Sequence, residues 1–159
     1  MREWVVFIHV ASVLAFMLAH GVHMTAMWAM RREPDPERML TFFNDLPTTR
    51  GLRVILLAVV LSGALAGFMG SWWGRGWIWA SLALLAFIAV AMWRFGGAYF
   101  SLLEETAGAA VAARSEEPSR AASQAAYDAA RRSWHTPGLS IIGLGGLALI
   151  LWLMMFKPF

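Results

Sequence analysis

The chain contains no cysteine, which excludes disulfides, thiolate metal sites and cysteine nucleophiles. Charge is scarce too. Only 14% of its 159 residues are Asp, Glu, Lys or Arg, against about 25% in a typical soluble domain. The net charge of +3 is small, and its basic residues lie in loops rather than in a stripe, so no nucleic-acid partner is expected. What the chain has instead is apolar surface: 59% of its residues are hydrophobic, with nine Trp and ten Phe against two Tyr. A soluble fold this short keeps too much of its surface in water to hide that fraction. Lipid is the solvent it suits, and tryptophan favours the interfaces of a bilayer.

About 20 mainly apolar residues are needed to cross roughly 30 Å of hydrocarbon. Four segments qualify: residues 4–30, 54–73, 77–95 and 139–156. The first is far longer than the apolar core of a signal peptide and is stopped by Arg31 and Arg32, so it reads as a retained span. Backbone polar groups in lipid must be satisfied within each segment, which makes these helices. The expected fold is all-α, a polytopic four-helix membrane bundle forming a single domain over residues 1–159, with loops at 31–53 and 96–138.

The loop containing Gly74-Arg75-Gly76 and the two termini share one side of the membrane and carry Arg2, Arg75 and Lys157. The other side carries Arg31, Arg32, Arg38, Arg50, Arg53, Arg94, Arg114, Arg120, Arg131 and Arg132. That bias places the long loops in the cytoplasm of a bacterial inner-membrane protein and both termini in the periplasm. The first long loop, with Pro34, Pro36 and Pro47, is expected to hold one interfacial turn near residues 38–43. The alanine-rich stretch 101–134 is expected to form a cytoplasmic helical hairpin that breaks around Ser115-Glu116-Glu117-Pro118. Pro118 there would start the second arm. Such a hairpin is either a solvated linker or a docking element.

Ionisable residues inside a span are rare and mark functional sites by default. His9, His20 and His23 all lie on the first span. Helical spacing puts His20 nearly over His9, about 16 Å further along, and His23 about 21 Å along. No second span carries matching histidines, so two bis-histidine hemes are excluded. One heme b stays open, held by His9, His20 or His23 with His135 or a methionine opposite. The glycines Gly143, Gly145 and Gly146 leave room for a macrocycle, or else, like Gly63 and Gly67, form a small-residue packing surface. The second candidate is copper: Met17, His20, Met24 and Met27 fall at helical spacing, with His23 and Met30 beside them. Thioethers with imidazole suit Cu(I), although methionine stripes also serve as core filler.

The start, Trp4-Val-Val-Phe-Ile-His9-Val-Ala-Ser-Val-Leu-Ala, and the end, Leu153-Met-Met-Phe-Lys157-Pro158-Phe159, resemble the copper-resistance D-like superfamily of small four-helix bacterial membrane proteins. That group includes HemJ-type protoporphyrinogen oxidases and predicted integral membrane proteins of about this length. The resemblance implies a heme b associated with the position of His9. The HemJ-type His and Lys of the penultimate core span have no counterpart in Gly76-Trp77-Ile78-Trp79-Ala80-Ser81, which argues against protoporphyrinogen oxidase activity. Three functions follow as expectations: heme-based electron transfer or heme handling, copper binding or transport, and a non-catalytic subunit or assembly partner of a membrane complex, including a homo-oligomer.

Overall fold

The computed structural model describes residues 1–45, 49–115 and 119–159. Every regular element among them is helical. In chain order these are α1 (Arg2–Arg32), α2 (Pro36–Asp45), α3 (Thr49–Gly70), α4 (Gly76–Ala91), α5 (Gly97–Ala112), α6 (Ser119–Arg132), α7 (His135–Ser140) and α8 (Gly146–Phe156). Among the described residues four helical runs are long and apolar enough to cross a membrane. The chain is a multi-pass, all-α membrane protein.

The third run departs from its expected limit at residue 95. A π-helical turn, Met92–Gly96, joins α4 to α5, and a 3-10 turn, Ala113–Ser115, extends α5. The run from Gly76 to Ser115 is 40 residues long, or about 60 Å of helix, twice the hydrocarbon thickness. Hydropathy falls near residue 95, but alanine, leucine and glutamate in α5 keep helix propensity high. The end of a span is here a change of solvent, and not the end of a helix. A second π-turn, Ile141–Gly145, interrupts the fourth run between α7 and α8.

The chain packs as two compact units. The first comprises Met1–Met24, Pro47–Leu85 and Ala148–Phe159. In it α3 stops at Gly70, earlier than the apolar run ends, because a Schellman closure intervenes. Ser71 turns left-handed at φ 54°, its N–H donates to Phe68 O at 3.2 Å, and Trp72 N–H donates to Gly67 O at 3.0 Å. Lys157 ends α8 in the same handedness, φ 47°, with its N–H on Leu153 O at 3.0 Å. Its ammonium lies over the rings of Trp72 and Trp77.

The second unit comprises Thr25–Leu46 and Ala86–Leu147. The expected hairpin is present: α5 and α6 pack together, and α2 packs on α5. The expected start of its second arm at Pro118 lies outside the described residues. Met30, Met39, Ala107, Ala110 and Tyr127 form its buried core, with Leu40, Phe43 and Phe100 against it. The Tyr127 hydroxyl donates to Glu33 O at 2.8 Å. Arg114 bridges Asp35 and Glu37 at 2.7 Å each, a solvated contact of the kind that contributes little.

Candidate functional site: imidazoles on α1

The inward stripe of α1 in the first unit runs through His9, Val13, Phe16, His20 and Met24, recurring every three or four residues as one helix face requires, with His23 beside it. The opposite face, with Phe7, Leu14, Leu18 and Val22, is exposed and suits acyl chains.

His9 is seated on α3. Its Nδ1 lies 3.2 Å from Ser62 Oγ. Ser62 has one proton, and its hydroxyl donates to Ala58 O at 2.5 Å, so the serine oxygen accepts from the imidazole. In the neutral imidazole this pairing assigns the proton to Nδ1 and leaves Nε2 with its lone pair, the form that ligates metals. The ring fills the space above Gly63, where an added Cβ would meet His9 Cε1 at 2.9 Å. Gly67, one turn on, seats the Trp73 ring in the same way. The two glycines therefore take up side chains of their own unit.

His20 is 5% exposed, stacked on Phe16 at 5.8 Å between ring centres. Its Nε2 is buried without a hydrogen-bond partner among the described residues. His23 donates Nδ1–H to Ala19 O, one turn back, at 2.9 Å. A carbonyl only accepts, so this imidazole too has a bare Nε2, and that atom is likewise buried without a partner. Buried polar atoms are seldom left unpaired, and each one calls for an explanation such as a catalytic role or an ion. Two of them, three residues apart on one helix, lie on neighbouring turns with Cβ atoms about 5–6 Å apart.

The remaining residues singled out by sequence divide clearly. Met24 is buried beside His23 in the chain, whereas Met17 is 37% exposed and leaves the inward stripe. Met27, also buried, belongs to the second unit, and Met30 is taken up by that unit's apolar core. His135 lies in the second unit too, its ring parallel to Tyr99 at 5.2 Å and its Nδ1 2.9 Å from Ser133 Oγ. Of the span-four glycines, Gly146 is covered by the Ile88 side chain, while Gly145 faces open space. Among the described residues no three of His, Asp and Glu converge as a metal cluster. Ser62 and Gly63 are the residues whose part in the site the sequence does not reveal. Gly63 reads there as part of a packing surface and Ser62 as a hydroxyl that caps a backbone carbonyl, which it does at Ala58 O; the seating of His9 adds a second role to each.

Gly63→Ala is expected to cost about 1–3 kcal/mol by overpacking against a ring that Ser62 holds in place. The same change in a His9→Ala background should cost far less, since the space is then empty. Thermal unfolding of the four corners of this cycle checks it: equal costs in both backgrounds would show that the ring does not occupy the seat.

Compared with known protein families, curated proteins and solved structures, the chain matches none.

Proposed function

We propose that this multi-pass protein holds a soft, redox-active metal ion, Cu(I), in the membrane through His20 and His23, with Met24 as the thioether ligand. The observation that supports this reading is the pair of buried Nε2 atoms, without a hydrogen-bond partner among the described residues, on adjacent turns of α1. Two imidazoles from one helix approach an ion from the same side. Axial ligands of a heme must stand on opposite faces of the macrocycle, so His20 and His23 do not make a bis-histidine heme together. A low-coordinate monovalent ion suits two neutral nitrogens and one sulfur. It also brings less charge into an apolar interior than a divalent one.

Heme b is the second reading, favoured by His9 alone, whose Nδ1–H is engaged and whose Nε2 is bare. Membership of the copper-resistance D-like superfamily fits either reading and rests on the two terminal motifs. The arginine bias supports cytoplasmic long loops in a bacterial inner membrane.

Purified protein titrated anaerobically with Cu(I) against a chromogenic chelator tests the proposal. Stoichiometric uptake is expected, with affinity falling by more than the roughly 10–100-fold typical of losing a supporting partner when either His20 or His23 becomes Ala. No uptake, together with a Soret band that His9→Ala abolishes, would replace copper by heme. The absence of both would leave a non-catalytic membrane subunit.

A further inference from the structure

We propose that the two Arg-Arg pairs ending α1 and α6 form a binding site for the phosphodiester headgroup of an anionic phospholipid. Arg31-Arg32 and Arg131-Arg132 close the last turns of their helices and come together within the second unit. Arg131 Nη1 donates to Arg31 O at 3.1 Å. Arg31 in turn donates to Arg131 O at 3.5 Å and to Ser133 O. Each helix thus receives a guanidinium at the end where its carbonyls are unpaired and its dipole is negative.

That arrangement accounts for Arg31 and Arg131 and leaves charge over. Asp128 pairs with Arg131 at 2.6 Å, and the Glu33 carboxylate accepts the Asp35 N–H at 3.0 Å. Of the four arginines, only Arg131 pairs with a carboxylate among the described residues. Arg32 and Arg132 are exposed, and neither they nor Arg31 pair with a carboxylate among the described residues. Like charges gathered this closely favour an anion between them, and the guanidinium fork matches a phosphate's paired oxygens.

The surroundings identify the anion as lipid. Trp28, 37% exposed, and Trp134, 73% exposed, adjoin the two pairs in sequence, and the Arg31 guanidinium lies over the Trp28 ring at 5.9 Å. The Trp28 indole donates to Ser140 Oγ at 3.0 Å. Exposed indoles belong at headgroup depth, and clustered arginines beside a span attract anionic headgroups there.

Native mass spectrometry of the full chain in detergent with equal phosphatidylglycerol and phosphatidylcholine tests this. Selective retention of phosphatidylglycerol is expected, and it should fall roughly thirtyfold in the Arg32→Gln/Arg132→Gln variant. Because those side chains are exposed and pair with no carboxylate among the described residues, the variant's melting temperature in phosphatidylcholine should stay unchanged. An Arg94→Gln/Arg120→Gln control removes equal charge from exposed positions elsewhere and should keep the preference. Equal retention of both lipids, equal loss in the control, or displacement of the lipid by inorganic phosphate would each overturn the assignment.

Discussion

Tyr127→Ala is expected to destabilise the packed module of α2, α5 and α6 by about 3–5 kcal/mol, the range for emptying a large buried aromatic site. The expectation depends on which solvent surrounds each part of the chain. Inside the hydrocarbon, burying a leucine against another helix gains little, because lipid is as apolar as the interior. The module is different. Its helices α2 and α6 are rich in charged and polar residues, and the third helical run, at 40 residues, is too long for α5 to remain in lipid. Water therefore surrounds it, and the ordinary hydrophobic effect holds it together. Tyr127 is fully buried with Met30, Met39, Ala107 and Ala110, so its removal leaves a cavity that helix ends tied to spans cannot close. Tyr127→Phe keeps the volume and loses only the hydrogen bond to Glu33 O, worth about 0.5–1.5 kcal/mol. Leu18→Ala, at a position 74% exposed on α1, should be close to neutral in detergent or lipid. Hydrogen exchange across residues 97–132, with thermal unfolding, checks the ranking. A Leu18 variant as damaged as Tyr127→Ala would mean that one solvent rule governs the whole chain.

The same difference of solvent explains how far the sequence could be read. Span positions follow from hydropathy, which senses lipid directly, and the four runs are where the apolar stretches put them. Helix ends are governed by local backbone closure. The Schellman turn after Gly70 uses Ser71 at C′ in place of the usual glycine, so no residue type announced it, and the Gly74-Arg75-Gly76 signal drew the turn later than it begins. The π-turns at Met92–Gly96 and Ile141–Gly145 each run into a Gly-Gly pair, but glycine pairs also occur as packing surfaces and carry no unique meaning. The histidine stripe on α1 was legible because 3.6-residue periodicity sets which residues share a face. Which nitrogen of His9 and of His23 is free was not, since that depends on Ser62 from another helix and on the Ala19 carbonyl. The meeting of Arg31 with Arg131 was equally hidden. The cue was there, an arginine pair at each helix end, but pairing across 100 residues is a property of tertiary packing.

His20→Leu is expected to raise the stability of the metal-free protein by about 1–3 kcal/mol while removing the proposed Cu(I) binding. A buried polar atom without a partner costs its desolvation in full, and an apolar side chain of similar size at the same place removes that cost. His20 is the position where this applies most completely, since its ring is buried against Phe16 and no hydrogen bond to it is present among the described residues. His23→Leu should be nearly neutral, because relief of its buried Nε2 is offset by losing the bond to Ala19 O. His9→Leu should destabilise, for it gives up the Ser62 contact and forces a branched side chain onto the Gly63 seat. A protein that keeps a destabilising histidine where leucine would pack better is holding it for its chemistry, as functional sites commonly do at the expense of stability. The decisive measurement is the order of melting temperatures for the three leucine variants without metal, with Cu(I) retention measured on the same samples. If His20→Leu proves as destabilised as His9→Leu, the imidazole is a satisfied packing residue, and the copper reading loses its central ligand.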